Sequence, residues 1–307
     1  MIIVTCIILA IIICFALIYT YFFRLAFCKN KPQNTPYTFS GSDNEEHKKR
    51  IKNGLEWFNA QPKEDIYIES HDGLKLHGVY LNVNPETRKL ILMFHGYRSS
   101  FRDFACAYEY YAQLGFNMIV VDQRSHGLSE GKFITYGVLE RYDVVSWLEY
   151  AKQKYPENND IYIDGISMGA STVLMASDLV TGVKGIIADC GYTSAKDIIT
   201  CVAKGMHVPA FFVHPLGFMA RIFCGIDYTY STVDSLKKTN IPVIFVHGLS
   251  DDFVPAYMTE ENYQVCNSKK TMVLVENAPH GYSFLIDEKR VKNELERFFN
   301  ESEKGAL

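Results

Sequence analysis

The sequence predicts a parallel α/β sheet covered by helices on both faces, because short apolar runs alternate with helical stretches over most of the chain. The apolar runs are continuous rather than alternating with polar residues, which is typical of strands buried on both faces. A turn signal at Asp72-Gly73, between two strand-like runs, predicts an antiparallel pair at the start of the sheet. An uncharged run at 1–23 precedes this pattern and predicts a separate segment.

The individual elements follow from this alternation. Strands are predicted at 66–68, 74–83, 90–94, 118–121, 161–163, 185–188, 243–246 and 271–275. Helices are predicted at 43–59, 101–114, 138–154, 168–180 and 290–299. In sheets of this type functional groups lie beyond the carboxyl ends of the strands, so candidate site residues are sought there.

One segment, 194–239, interrupts the alternation between the sixth and seventh predicted strands. It is longer than a simple crossover and rich in Phe, Met, Pro and Gly, including Phe211, Phe212 and Phe218. We interpret this segment as an inserted lid over the carboxyl edge of the sheet. These phenylalanines either contact a substrate or only pack the interior of the lid, and the sequence leaves both alternatives open.

The composition excludes several classes of protein. A chain of 307 residues is long enough to build a core without a disulfide or metal to stabilise it. The net charge of −4 offers no basic surface to neutralise phosphates, so we expect no nucleic-acid partner. The eight cysteines are scattered without CxxC or His/Cys ligand spacing, which argues against a structural zinc site and fits a reducing compartment.

The run at 1–23 is long and apolar enough to cross a bilayer as a helix. A cleaved signal peptide is the alternative, but the run lacks a basic start and no small-residue cleavage motif follows it. Basic residues that include Arg24 and Lys29 follow the run, so the positive-inside rule places the remaining chain in the cytoplasm. We therefore predict a single-pass membrane anchor at 1–23, a tether and leading helix at 24–60, and the main domain at 61–307.

The pattern Gly-x-Ser-x-Gly occurs twice, at 165–169 and at 127–131. A nucleophilic serine in this pattern needs a sharp strand-to-helix turn, where glycines permit a strained backbone and the helix N-terminus favours negative charge. Ser167 meets this requirement, because a predicted strand ends before it and a predicted helix follows it. Ser129 stands in a loop-like stretch and is interpreted as a loop serine. Ser167 is therefore the predicted nucleophile, with an ordinary helix N-cap as the alternative.

A serine hydroxyl needs a base to become a nucleophile, and His280 is the candidate among nine histidines. His280 follows the last predicted strand, which places it at the same sheet edge as Ser167. His95 also ends a strand, but the stretch His95-Gly96-Tyr97 precedes the nucleophile and resembles an oxyanion loop. His247 ends another strand, where bracing the following turn is the favoured interpretation.

The base in turn needs a carboxylate that holds its tautomer. Asp251 and Asp252 follow one predicted strand and Asp189 follows the preceding strand, so three carboxylates are candidates. Adjacent loop side chains point in different directions, and only one of the first two should face His280. With Asp251 in this role, the chain order of serine, aspartate and histidine is that of α/β-hydrolases.

These motifs together resemble the α/β-hydrolase superfamily over about 66–299, and in particular membrane-anchored bacterial hydrolases described as serine-aminopeptidase-like. The matching stretches are 95–97, 122–129, 165–169, 247–255 and 280–281. The resemblance implies that Asp251 is the acid and that the backbone N–H groups of Tyr97 and Met168 stabilise an oxyanion. One departure is Ser125, where many relatives carry glycine. It lies in a loop and leaves the three candidate catalytic residues unaffected.

The predicted fold is an α/β-hydrolase fold: a mostly parallel central sheet with helices on both faces and a lid insertion, preceded by one transmembrane helix. The predicted function is a membrane-anchored serine hydrolase that cleaves an ester or related acyl bond of a small molecule through Ser167, His280 and Asp251. No metal or organic cofactor is expected, and the sequence does not indicate an oligomeric state. The alternatives are a serine peptidase acting on small peptides and a non-catalytic, hydrolase-like membrane adaptor. The adaptor is disfavoured because all three catalytic positions are filled.

Overall fold

The computed structural model describes residues 2–29 and 44–303. Part of the predicted tether, and the predicted start of the leading helix at Asp43, lie outside the described residues. The helices are α1 (Ile2–Phe27), α2 (Glu45–Ala60), α3 (Tyr108–Gln113), α4 (Glu140–Lys154), α5 (Met168–Ala176), α6 (Ala195–Gly205), α7 (His214–Phe223), α8 (Thr232–Leu236), α9 (Tyr257–Val265), α10 (Ser283–Ile286) and α11 (Glu288–Glu303). The strands are β1 (Lys63–Glu69), β2 (Lys75–Leu81), β3 (Lys89–Phe94), β4 (Asn117–Val121), β5 (Asp160–Ile166), β6 (Val183–Asp189), β7 (Val243–Gly248) and β8 (Lys270–Val275).

The eight strands form one sheet in the order β1-β2-β4-β3-β5-β6-β7-β8. β1 and β2 pair antiparallel through the turn at Asp72-Gly73, and β2 pairs antiparallel with β4. The remaining neighbours pair in parallel, from β4 across to β8. The predicted mostly parallel sheet with an opening antiparallel pair is therefore confirmed.

Helices cover both faces of the sheet, and each face has its own apolar core. On one face α4 and α5 pack on the strands, with Trp147 fully buried among aliphatic side chains of β2, β3 and β5. On the other face α2, α3 and α11 cover a cluster rich in aromatic rings that includes Tyr162, Phe116 and Phe299. Since both faces are covered, the parallel strands are continuous apolar runs.

Some helices of the structure differ from the predicted ones. The helix predicted at 101–114 is broken into a single 3₁₀ turn, Phe101–Phe104, and the short helix α3. The break follows Asp103, whose carboxylate accepts hydrogen bonds from the Gly96 N–H and the Ser99 hydroxyl and so ties this turn to the loop after β3. Helix α9 was not predicted, because its sequence mixes polar residues and a β-branched threonine without a clear apolar face.

Helix α1 extends past the predicted 1–23 segment, and its last turns dock on the main domain. Phe23 is 5% exposed and Phe27 is fully buried, and their rings stack at 5.2 Å between centroids. The Phe27 carbonyl accepts a hydrogen bond from the Ile134 N–H at 2.7 Å, and the Lys29 N–H donates to the Lys132 carbonyl. The C-terminal end of α1 is therefore built into the domain.

The segment predicted as a lid contains α6, a 3₁₀ turn at Ala210–Val213, α7 and α8. Its buried side chains join those of the α1 end and of the turn after β5 in a third apolar cluster. This cluster includes Phe27, Met168, Tyr192, Ile198 and Leu216. The segment therefore lies beside the carboxyl edge of the sheet and shares its interior with α1.

Candidate active site

Ser167 stands on a strained turn between β5 and α5. Its φ angle is 57°, in the left-handed region that L-residues rarely adopt, and β5 ends one residue before it. Gly169 lets the new helix approach β3, because a Cβ there would collide with the Phe94 carbonyl oxygen. A Cβ on Gly165 would collide with the Gly169 backbone. Both glycines of this copy of the pattern are therefore required by close backbone approach, as a nucleophile elbow demands.

His280 lies beyond β8 and contacts Ser167 directly. Its Nε2 lies 2.8 Å from the Ser167 Oγ, and its Nδ1 lies 2.6 Å from an Asp251 carboxylate oxygen. A carboxylate only accepts hydrogen bonds, so Nδ1 carries the proton and Nε2 accepts from the serine hydroxyl. The three side chains thus form a continuous relay, in the geometry that activates a serine nucleophile.

Asp251 is fixed by hydrogen bonds on both carboxylate oxygens. One oxygen accepts from the backbone N–H groups of Phe253 and Val254, and the other contacts His280 and, at 3.2 Å, the His247 Nε2. Burial raises the pKa of Asp251, but the hydrogen bonds from His247 and His280 outweigh burial and hold the pKa well below its ordinary value of 3.8. The carboxylate therefore remains ionised beside the imidazole.

The other two candidate carboxylates do not meet His280. Asp252 is exposed, whereas Asp251 beside it is buried. Asp189 is buried and accepts a hydrogen bond from the Ser283 hydroxyl at 3.1 Å. Burial raises the pKa of Asp189 to about 6, so this carboxyl lacks the stabilised charge that distinguishes Asp251.

The loop after β3, which contains Tyr97, lies against Ser167. A Cβ placed on Gly96 would lie 3.4 Å from the Ser167 Cβ, so this loop and the serine are in contact. Met168 is the first residue of α5, and the first N–H groups of a helix have no intrahelical acceptor. These two positions can therefore present backbone N–H donors to an anion formed at Ser167.

Two histidines hold this loop in place: His95, predicted to belong to the oxyanion loop, and His126, for which the sequence predicts no catalytic role. The His126 Nε2 accepts a hydrogen bond from the Arg98 N–H at 2.9 Å, and its Nδ1 contacts the Arg124 carbonyl. Burial lowers the pKa of His126 to about 3, so its ring is neutral and can accept. The His95 Nε2 accepts from the Gln123 N–H. The stretch 122–129 matches the family pattern, but its contacts with the loop at 95–98 cannot be deduced from the spacing of its residues.

The second Gly-x-Ser-x-Gly copy has no access to this relay. Ser129 is 1% exposed, and its hydroxyl donates to the Asp122 carbonyl at 2.5 Å and accepts from the His77 N–H at 2.8 Å. Both hydrogen-bonding directions of the hydroxyl are used by the backbone. The structure thus gives Ser129 a structural position, as its loop-like sequence context indicates.

An apolar cavity of about 590 Å³ opens at Ser167. Three groups of residues line it: aromatic rings beside the elbow, the inner faces of α6 and of the 3₁₀ turn, and one face of α1. From the elbow region and the segment at 194–239 these are Tyr97, Arg98, Tyr136, Tyr192, Ile198, Ile199, Val202, Ala203, Met206, His207, Val208, Pro209, Phe212, Val213, Leu216 and Phe253. From α1 they are Phe15, Ile18, Tyr19, Phe22, Leu25 and Ala26. A cavity of this size and polarity suits an apolar organic group.

Two groups of side chains in residues 2–29 and 44–303 combine ligand types within 4.8 Å of one another. The first is Cys190 with Asp251 and His280, where the latter two already bond to each other and burial raises the pKa of the Cys190 thiol well above its usual range. The second includes Asp72 and Asp143, which both accept hydrogen bonds from the Arg124 guanidinium. The carboxylates of both groups are therefore already engaged by protein partners.

Comparison with known proteins agrees with this architecture. A family model described as "Serine aminopeptidase, S33" matches residues 85–211, a range that includes Tyr97 and Ser167. The uncharacterized protein YqkD of Bacillus subtilis is 26% identical over 264 residues, which cover 82% of this chain and 85% of YqkD. The bem46 protein of Schizosaccharomyces pombe is 25% identical over 67% of each chain.

Solved structures show the same fold. The Pyrococcus furiosus esterase Pf2001 superposes with a TM-score of 0.64 at 22% identity, covering 88% of this chain and 98% of the esterase. Est1E from Butyrivibrio proteoclasticus, solved with ferulic acid bound, gives a TM-score of 0.60 at 20% identity, covering 77% and 98% of the two chains. Together with the sheet order and the elbow, these likenesses show that the chain has an α/β-hydrolase fold.

Proposed function

We propose that this protein is a serine hydrolase that cleaves a carboxylic ester or a related acyl bond through an acyl-enzyme intermediate. The observation that carries the proposal is the relay from Ser167 through His280 to Asp251, with distances of 2.8 and 2.6 Å, beside an apolar cavity that Ser167 lines. The esterase names of the structural neighbours agree with this reaction class.

The reaction would begin when the Ser167 Oγ attacks the acyl carbonyl carbon while the His280 Nε2 takes the hydroxyl proton. The tetrahedral intermediate collapses as the imidazolium returns this proton to the departing alkoxide, and the acyl group remains on Ser167. Water then attacks the acyl-enzyme, with His280 again taking the proton, and the free acid leaves. Protons balance over the cycle, since each one that His280 takes is returned to a leaving oxygen.

Asp251 would hold His280 in the reactive tautomer and stabilise the imidazolium. Its low pKa keeps the charge in place at neutral pH, and its four hydrogen-bonding partners fix its orientation. The N–H groups of Tyr97 and Met168 would stabilise the oxyanion, and a donor of this kind contributes about 3–4 kcal/mol to transition-state stabilisation.

The cavity favours an ester over an aminopeptidase substrate. An aminopeptidase must bind a free α-ammonium group, and a carboxylate is the usual partner for such a cation. Among the described residues that line the cavity, none is Asp or Glu. Most of the lining is aliphatic or aromatic, which suits an acyl chain better than a charged peptide terminus.

The proposal is tested with the full chain purified in detergent and assayed on p-nitrophenyl butyrate beside leucine p-nitroanilide. We expect ester turnover with a rapid initial release of p-nitrophenol, stoichiometric with enzyme, if deacylation is the slower step. Turnover of the anilide alone would contradict the ester preference. A folded protein with no turnover of either compound and no labelling by a fluorophosphonate would contradict the hydrolase assignment.

We further propose that α1 anchors the protein in a membrane, with the hydrolase domain on the cytoplasmic side. α1 is long and apolar enough to span a bilayer, and Arg24 and Lys29 stand on the domain side of its apolar run. Protease added to intact cells should leave the domain uncut and should degrade it only after lysis. Cleavage in intact cells would place the domain outside.

A further inference from the structure

Helix α1 has a free part and a docked part. Residues 2–18 are exposed along their whole length, whereas the following turns contact the domain and bury Phe23 and Phe27. At 1.5 Å per residue the free part spans about 25 Å, which is shorter than the roughly 30 Å hydrocarbon core of a bilayer. If α1 crosses the membrane, the hydrocarbon core must therefore reach the docked turns, and the domain lies directly on the lipid surface.

The lid segment presents a matching apolar surface next to these docked turns. Helix α7 packs on α1, and the rings of Phe23 and Phe223 lie 5.4 Å apart. Phe211 and Phe218 are 64% and 66% exposed, so they do not pack the interior of the lid. Phe218 and Ile222 lie four residues apart on α7, so these two exposed apolar side chains share one face of the helix that packs on the anchor. Exposed apolar side chains beside a membrane helix are typical of a surface that lies in the interfacial region of a bilayer.

The cavity at Ser167 connects this membrane-facing zone with the nucleophile. The six α1 residues that line it, Phe15, Ile18, Tyr19, Phe22, Leu25 and Ala26, follow the spacing of a single helix face. This face starts in the free part of α1 and ends at Ala26, whose carbonyl accepts a hydrogen bond from the Tyr97 hydroxyl at 2.8 Å. One apolar groove thus runs along the anchor from the bilayer to the loop beside the elbow.

We propose that the enzyme takes a long-chain acyl ester directly from the membrane leaflet, with the acyl chain lying along α1 and the ester carbonyl at Ser167. This inference rests on the proposed serine hydrolase function and adds the substrate class and the route of entry. Helix α1 is then part of the substrate-binding site as well as the anchor. The substrate is a lipid that resides in the bilayer, since the groove opens where the hydrocarbon core meets the domain.

The test uses the full chain reconstituted in phosphatidylcholine vesicles that contain monooleoylglycerol, with p-nitrophenyl acetate as the short, water-soluble ester. Ile18→Trp places a larger side chain in the groove, and Leu17→Trp is the matched control, because Leu17 is 65% exposed and does not line the cavity. Each methylene of the acyl chain that can no longer enter an apolar site lowers affinity about fourfold. If the tryptophan excludes two or more methylenes, the kcat/KM for monooleoylglycerol relative to that for p-nitrophenyl acetate should fall at least about tenfold. Leu17→Trp should leave both rates unchanged.

A second variant keeps the inference testable if Ile18→Trp does not fold. Phe15 lies in the free part of α1, where Phe15→Ala cannot disturb the domain core. It should lower the kcat/KM for monooleoylglycerol relative to a shorter-chain monoacylglycerol, because only the longer chain reaches this end of the groove. An unchanged ratio in both variants, or an equal loss in Leu17→Trp, would overturn the inference.

The source of the substrate is tested by surface dilution in the wild-type protein. The rate should follow the mole fraction of monooleoylglycerol in the vesicles at constant bulk concentration, since the ester enters from the leaflet. A rate that follows bulk concentration alone would show capture from water and overturn the entry route. Hydrolysis of p-nitrophenyl acetate separates the two proposals. If this ester is not hydrolysed, the proposed function is wrong. If it is hydrolysed and the long-chain to short-chain ratio is unchanged in the variants, only this inference is wrong.

Discussion

The two copies of Gly-x-Ser-x-Gly in this chain have the same pattern and opposite surroundings. Ser167 sits at a φ of 57° between a strand and a helix, with its hydroxyl 2.8 Å from an imidazole nitrogen. Ser129 sits in a loop, and its hydroxyl is saturated by two backbone groups. The comparison shows that the pattern alone does not create a nucleophile. The hydroxyl must be left without competing backbone partners and be directed at a base.

The glycines of the two copies also serve different ends. Gly165 and Gly169 are needed because a side chain at either position would collide with neighbouring backbone. Gly127 and Gly131 have φ angles of 45° and 122°, values that favour glycine, and a Cβ at either position would also collide, with the Asp122 carboxylate or with Ser125. The first pair creates the elbow, whereas the second pair only turns a loop. Close contacts require glycine at all four positions, and a positive φ angle adds a second requirement only in the copy at 127–131.

The largest expected difference between the copies is catalytic. Ser167→Ala removes the nucleophile, and loss of a triad serine reduces kcat by a factor on the order of 10⁶. Ser129→Ala should retain ester turnover, because its hydroxyl does not contact the relay. Hydrolysis of p-nitrophenyl butyrate by both purified variants measures this difference. Comparable loss of activity in the Ser129 variant, with its fold intact, would break the distinction.

The next effect separates two adjacent carboxylates. Asp251→Asn leaves an amide that cannot stabilise the His280 imidazolium, and a change of this kind in a serine triad lowers kcat about 10⁴-fold. Asp252→Asn is the matched control, because the Asp252 side chain is exposed while Asp251 is buried against His280. Steady-state kinetics of both variants provide the measurement. A larger loss for Asp252→Asn would reassign the acid.

A smaller effect concerns the carboxyl groups at the ends of the strands that precede the two copies. Burial raises the pKa of Asp164 from 3.8 to about 7, so the folded state favours its protonated form. The contribution of Asp164 to stability is therefore complete below pH 4 and is lost as the pH rises towards 7. At pH above 7 this loss is on the order of 4 kcal/mol, since one pKa unit corresponds to about 1.4 kcal/mol.

The contribution of Asp122, which precedes the second copy, depends on pH in the opposite direction. Burial raises its pKa, but hydrogen bonds from His77 and the Leu128 N–H outweigh burial and hold it below 3.8. Its contribution is present above pH 4 and is lost as the pH falls through its lowered pKa. The thermal unfolding temperature is measured in detergent as a function of pH. Compared with the wild-type protein, Asp164→Asn should show a smaller fall in this temperature as the pH rises from 4 to 7. Asp122→Asn should show a smaller fall as the pH drops below 4. Parallel pH profiles for both variants would contradict this contrast.

The smallest expected effect is the structural cost of losing the Ser129 hydroxyl. Ser129→Ala leaves the buried His77 N–H without its acceptor, which costs about 1–3 kcal/mol of unfolding free energy. The variant should therefore unfold at a lower temperature while it keeps the ester turnover proposed for the wild-type protein. An unchanged unfolding midpoint would show that another acceptor or a water molecule replaces the hydroxyl.

The meeting of Ser167 and His280 at one edge of the sheet could be predicted, because it depends on where the strands end. Ser167 and His280 both follow apolar strands that are visible as continuous runs, and a parallel sheet brings such ends to one edge. The sequence alone leaves three carboxylates as candidates for the partner of His280, because the direction of a loop side chain depends on its hydrogen bonds. Here the backbone N–H groups of Phe253 and Val254 orient Asp251.

What the sequence did not predict depends on packing between distant segments. A charge-free run predicts a membrane helix, but its spacing cannot show that Ala26 meets Tyr97, more than 70 positions further along the chain. Phe211 and Phe218 have the composition of a lid interior, yet the packing of α7 against α1 leaves them exposed. His126 likewise gains its role from the Arg98 N–H, a contact that forms only once β3 and β4 are neighbours.

Of the two identically patterned serines, only Ser167 is proposed as the nucleophile. The decisive measurement treats the full chain with a fluorophosphonate and maps the modified peptide by tandem mass spectrometry. We expect one adduct, on the Ser167 Oγ, with the peptide containing Ser129 unmodified. An adduct on Ser129, or stoichiometric labelling that persists in the Ser167→Ala variant, would overturn this assignment.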